Sequence, residues 1–202
     1  MHNSCCSAAL TILTTLLCVS TAGAQRPHLR EAFWGGVGLG YGSADASCEQ
    51  CFSFPRDGGG IASVKLGYTV SDRVLIAGDV LAWIGSRAGT TVVMANITLA
   101  TSLYLERASG LFVKAGVGSS MYREPEHVGT DQVERGLSGA GPGIILGVGN
   151  DFRVGNNASL TAAVDFIYGW VGAVYDRSHS YAPIRTRQAQ NLLSVTLGVT
   201  FH

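Results

Sequence analysis

Side chains alternate between the two faces of an extended strand, and most of this chain alternates between apolar and small or polar residues with that period. The pattern is plainest near the carboxyl end. There Leu193, Val195, Leu197, Val199 and Phe201 fall on one face, and Ser194, Thr196, Gly198 and Thr200 fall on the other. Seven earlier segments repeat it. Phe33, Val37, Leu39 and Tyr41 oppose Trp34, Gly36, Gly38 and Gly40; Ala62, Val64, Leu66 and Tyr68 oppose Ser63, Lys65, Gly67 and Thr69. Val74, Ile76, Val80 and Ile84 oppose Asp79, and Val93, Ala95, Ile97, Leu99 and Leu103 oppose Asn96, Thr98 and Ser102. Leu111, Val113, Ala115 and Val117 oppose Lys114; Ile144, Leu146, Val148 and Phe152 oppose Gly147, Gly149 and Asp151. Leu160, Ala162, Val164, Phe166, Tyr168 and Trp170 oppose Thr161, Asp165 and Gly169. The reading is eight strands of roughly 10 to 15 residues, an even number whose free edges are removed only by closure into a barrel.

The connections fall into two sets. Val70-Ser71-Asp72, Ala108-Ser109-Gly110 and Gly155-Asn156-Asn157 are tight turns built of residues that tolerate them. Alternating with these are long connections, from Ser43 to Gly59, Arg123 to Ala140 and Tyr175 to Ala189, with one short member from Ser86 to Gly89. Short turns at one end and long loops at the other are the pattern of a barrel that crosses a bacterial outer membrane, with turns inside and loops outside.

Composition decides which face looks outward. Charged residues are only 14% of the chain and glycine numbers 27, too little charge for a water-exposed surface. A soluble barrel of the lipocalin kind would carry charge outside and apolar residues inside. Here the polar face is mostly small, with Lys65, Asp79, Lys114 and Asp165 near strand centres, and it suits a narrow interior better than a surface. An ion-pair network inside the barrel is therefore expected, because charges withdrawn from water need partners. Phe33, Tyr68, Phe152 and Phe201 at the turn end, and Tyr41, Tyr168 and Trp170 toward the loop end, match two aromatic girdles.

Residues 1–24 read as a secretory signal: a short apolar run from Ala8 to Val19, then Ala22-Gly23-Ala24 as a cleavage site. Residues 25–202 form the barrel domain. Three of the five cysteines leave with the signal, and Cys48 and Cys51 remain as an expected disulfide staple in the first long loop. The formal net charge of zero gives no support to nucleic-acid binding. No metal site or cofactor motif is present in the pattern.

On these residues the chain resembles the small outer-membrane β-barrel superfamily and is similar in plan to the transmembrane domain of outer membrane protein A. The carrying motifs are Gly67-Tyr68-Thr69-Val70-Ser71-Asp72-Arg73 at a strand-turn-strand junction, the glycine-rich strand from Gly35 to Gly42, and the terminal Val199-Thr200-Phe201, followed here by His202. The resemblance implies an all-β, eight-stranded antiparallel up-and-down transmembrane barrel in the outer membrane of a Gram-negative bacterium. It also implies a closing strand, with Leu197, Val199 and Phe201, that the barrel assembly machinery reads.

Function is expected to be non-enzymatic and to reside in the loops. Arg177, Arg185 and Arg187 suit lipopolysaccharide phosphates, and Glu124, Glu126, Asp131 and Glu134 suit divalent cations. A monomer is expected. Two alternatives stand beside this reading. One is a lipid-modifying enzyme such as a lipid A deacylase, for which Ser178-His179-Ser180 is the one candidate; neighbouring residues on an extended chain point apart, which places His179 and Ser180 badly as base and nucleophile. The other is a narrow, porin-like pore through the glycine-rich interior.

Overall fold

The computed structural model describes residues 33–48, 56–87, 90–106, 109–126, 135–155, 157–176 and 183–201. These form eight strands: β1 (Phe33–Ser47), β2 (Asp57–Ser71), β3 (Val74–Arg87), β4 (Thr90–Tyr104), β5 (Leu111–Glu126), β6 (Arg135–Arg153), β7 (Ala158–Asp176) and β8 (Pro183–Phe201). Each pairs antiparallel with its sequence neighbours, and β8 pairs back onto β1 to close the barrel. Closure leaves no strand edge exposed.

The register fixes the geometry of the tube. Cross-strand partners followed from Gly36 run through Lys65, Asp79, Thr98, Gly118, Gly143, Gly169 and Gln190, and return to β1 at Ala46, ten residues beyond the start. Such a stagger tilts the strands by roughly 35–45° to the barrel axis. All of these positions face inward, so side chains that are distant in sequence meet across the lumen.

The exterior carries the apolar stripes. Leu39, Leu66, Leu99, Val117, Leu146 and Leu197 are each more than half exposed, which in water would be a large apolar surface and in lipid is the solvated one. Aromatic residues mark both margins. Phe33 and Tyr68 are cross-strand partners whose rings meet edge to face at 5.4 Å near the turn end. Tyr168 and Trp170 meet edge to face at 4.5 Å toward the loop end.

The strands run 14 to 19 residues, longer than the sequence pattern suggests, and the connections are correspondingly shorter. Alternation ends where the apolar stripe ends, but a hydrogen-bonded ladder needs no apolar face. Glu124, Pro125 and Glu126 still pair with Leu137, Gly136 and Arg135 beyond the stripe.

The interior also differs from a lumen of small residues and paired charges. It is layered. Near the turn end, Trp34, Leu75, Ala77, Tyr104, Phe112 and Ala163 form one apolar cluster. Toward the loop end a second holds Ile61, Leu81, Trp83, Met94, Tyr122, Ile145, Ile167 and Leu192, among others. Large rings enter because glycines on the same or a neighbouring strand leave them room. A methyl group at Gly59 or Gly85 would overlap Trp83, one at Gly67 would overlap Trp34, and one at Gly149 would overlap Phe112. Trp83 satisfies its ring N–H by donating to the Gly42 carbonyl at 3.1 Å.

Candidate functional site: the charged belt inside the barrel

Between the two apolar clusters lies a polar belt. Lys114 on β5 is its hub: Nζ stands 2.8 Å from Asp79 Oδ2 on β3 and 2.9 Å from Asp165 Oδ1 on β7. All three side chains are buried. The Asp79 contact has hydrogen-bond geometry; the Asp165 contact is an ion pair by distance whose alignment falls short of a hydrogen bond. The register explains the second contact. Lys114 and Asp165 both pair with Gly147, on either side of β6. Because Gly147 has no side chain, the two charges reach past it and meet; a methyl group there would overlap the Asp165 carboxylate.

Lys65 sits differently. It is the cross-strand partner of Asp79 and of Gly36, is half-buried, and has no hydrogen bond or ion pair at bonding distance among the described residues. It lines a cavity of about 10 Å³ with Ser63, Thr161, Thr196 and Thr200 against the glycines of β1, room for about one water molecule.

Asp151, near the turn end of β6, is a fifth interior charge. Its carboxylate accepts from Tyr104 Oη at 2.5 Å and from Thr161 Oγ1 at 2.6 Å, and Thr161 Oγ1 is 2.8 Å from Thr200 Oγ1. Counting only strand centres overlooks it. The parity of β6 already puts Asp151 on the same face as Gly147, and that was the available signal. The same parity places Leu81 and Trp83 inward with Asp79.

The arrangement cross-links alternate strands through buried charges. Its carboxylates are engaged by an ammonium group or by hydroxyls. Among the described residues no group of three or more His, Cys, Asp or Glu is placed to hold a metal ion.

The remaining candidates lie elsewhere. Leu197, Val199 and Phe201 are on the outward face of β8, where Phe201 pairs with Gly35 and Ala158 at the closing seam. Cys48 follows the outer end of β1. Residues 1–24, Cys51, Asp131, Glu134, Arg177, Ser178, His179, Ser180 and His202 lie outside the described residues.

No protein-family model matches the sequence, and no curated protein matches it. Solved structures do match in shape. The Neisserial surface protein NspA is similar with a TM-score of 0.55 and 19% identity over 84% of this chain and 96% of that one. The attachment invasion locus protein Ail of Yersinia pestis is similar with a TM-score of 0.47 and 11% identity over 85% of this chain and 99% of that one. OprG from Pseudomonas aeruginosa is similar with a TM-score of 0.43 and 12% identity over 88% of this chain and all of that one. The chain has the fold of the eight-stranded outer-membrane β-barrels, and its apolar exterior places it in the bacterial outer membrane.

Proposed function

We propose that the protein is a non-enzymatic outer-membrane barrel whose work is done by its external loops, in contact with lipopolysaccharide and other surface partners. One observation carries the reading. The lumen is filled by an apolar layer at each end of the charged belt, so chemistry and transport through the centre have no open path, and the loop end is the surface left to act. In the same reading residues 1–24 are the export signal, Cys48 and Cys51 staple the first loop, the β8 stripe is read during assembly, and the barrel is a monomer.

The test compares the intact protein with one whose residues 49–55, 127–134 and 177–182 are replaced by short Gly-Ser turns. Heat-modifiable migration on a gel verifies that both are folded. Binding to lipopolysaccharide vesicles is expected to fall at least about tenfold in the shortened protein, as loss of several charge-assisted contacts implies. Unchanged binding, or sugar uptake by proteoliposomes carrying the intact protein, overturns the reading.

A further inference from the structure

The outward face of β1 is apolar or aromatic as far as Tyr41, and continues with Ser43 and a carboxylate, Asp45. Asp45 is fixed from both sides. Asn191 on β8 donates to it from Nδ2 at 2.8 Å, and Arg56, just before β2, meets it through Nε at 2.9 Å. The three residues bridge β8, β1 and the start of β2 across the seam where the barrel closes. Their level follows from the register. Asn191 is the partner of Asp45 on one side and of Tyr168 on the other, so the cluster stands beside the loop-side aromatics, where an outer-membrane barrel meets lipid headgroups.

Arg56 is held by one edge. Asp45 takes Nε, while the two Nη groups have no partner at bonding distance among the described residues, and the side chain is 44% exposed. Tyr41 comes up to meet it. Its backbone pairs with Gly60, yet its ring climbs the wall of β2 to Gly58, where a methyl group would overlap the Tyr41 hydroxyl. Arg56 lies two residues further on, about 7 Å along an extended chain. A phenol hydroxyl and a guanidinium therefore stand in line on the same outer wall. Below them the wall is bare: a methyl group at Gly60 would meet nothing within 4 Å.

We propose that this stretch of wall binds one phosphate of a phosphorylated glycolipid in the outer leaflet, through the Nη groups of Arg56 and the hydroxyl of Tyr41, with the lipid lying over the bare strip at Gly60. The inference rests on the reading that the protein contacts lipopolysaccharide, and adds the barrel wall to the loops as a place of contact. A guanidinium suits this ligand because its parallel N–H donors match two phosphate oxygens. Asp45 and Asn191 are positioning residues. Holding Nε fixes the plane of the fork before the lipid arrives, so less side-chain freedom is lost on binding. Because Asp45 offsets the charge of Arg56, recognition depends on the fork and not on charge alone.

The experiment titrates the full chain in detergent micelles with lipid A bearing its phosphates and with lipid A stripped of them, heat-modifiable migration verifying that each variant is folded. The parent is expected to bind the phosphorylated lipid at least about tenfold more tightly, and Arg56→Gln to lose that advantage. Arg56→Lys, which keeps the charge without the fork, is expected to lose it as well, and Tyr41→Phe to lose part of it. Equal affinity of the parent for the two lipids, parent-like binding by Arg56→Gln, or full binding by Arg56→Lys overturns the proposal. Equimolar inorganic phosphate is expected to leave the lipid bound; displacement would make this a free-anion site and overturns the lipid assignment. Arg56→Gln in the protein with shortened loops separates the two readings. A loss in that background supports the wall site whatever the loops contribute, whereas binding that needs the loops and ignores Arg56 overturns the wall site and leaves the loop reading standing.

Discussion

Single residues carry the interior. Replacing Lys114 with Met leaves two buried carboxylates without their cation, and destabilisation of about 3–5 kcal/mol is expected, since removing one member of a buried pair leaves the rest uncompensated. Urea unfolding in micelles, followed by tryptophan fluorescence, measures it. Adding Asp79→Asn and Asp165→Asn to Lys114→Met should recover most of that loss if the ion pairs are its cause. Glycines give a second contrast. Gly147→Val forces a branched side chain against the Asp165 carboxylate and should destabilise by about 1–3 kcal/mol, whereas Gly60→Ala meets nothing within 4 Å and should stay within about 0.5 kcal/mol of the parent. Sequence alone located Lys65, Asp79, Lys114 and Asp165 on one face. It had no means of separating Lys114, which meets both carboxylates, from Lys65, which meets neither at bonding distance, because that difference depends on the stagger between strands and on which register position is a glycine.

At the level of elements, eight strands and their order were legible because lipid on one side and a narrow lumen on the other impose a period of two. Their outer ends were not, since above the membrane margin nothing enforces alternation. The apolar layers were half legible: Trp34 was read as inward, but Leu81 and Trp83 lie one position from outward stripe residues, and only strict parity assigns them. The β8 strand offers a direct test. Phe201 stands between Gly35 and Ala158 at the seam, so Phe201→Asp is expected to lower the fraction of chains that become heat-modifiable in the outer membrane, with Phe201→Ala intermediate. Normal assembly of both would remove the proposed role of this strand as a signal. The staple proposed for the first loop is tested by mass: Cys48 and Cys51 should resist iodoacetamide until a reductant is added.

For the molecule as a whole, the layered lumen makes a prediction about conductance that differs from that of a simple charged plug. Truncating Lys65 to Ala enlarges the cavity beside it but leaves both apolar layers in place, so planar-bilayer recordings should show no new current. Removing a ring from each layer, with Trp34→Ala and Trp83→Ala together, is the change expected to admit ions; a current from the Lys65 variant alone would mean that the layers do not seal. The two layers also bear on where such a protein can be tolerated. A barrel shut by hydrocarbon at both ends is, to a passing ion or antibiotic, equivalent to a patch of bilayer, so a cell can crowd its surface with copies without making the envelope any leakier.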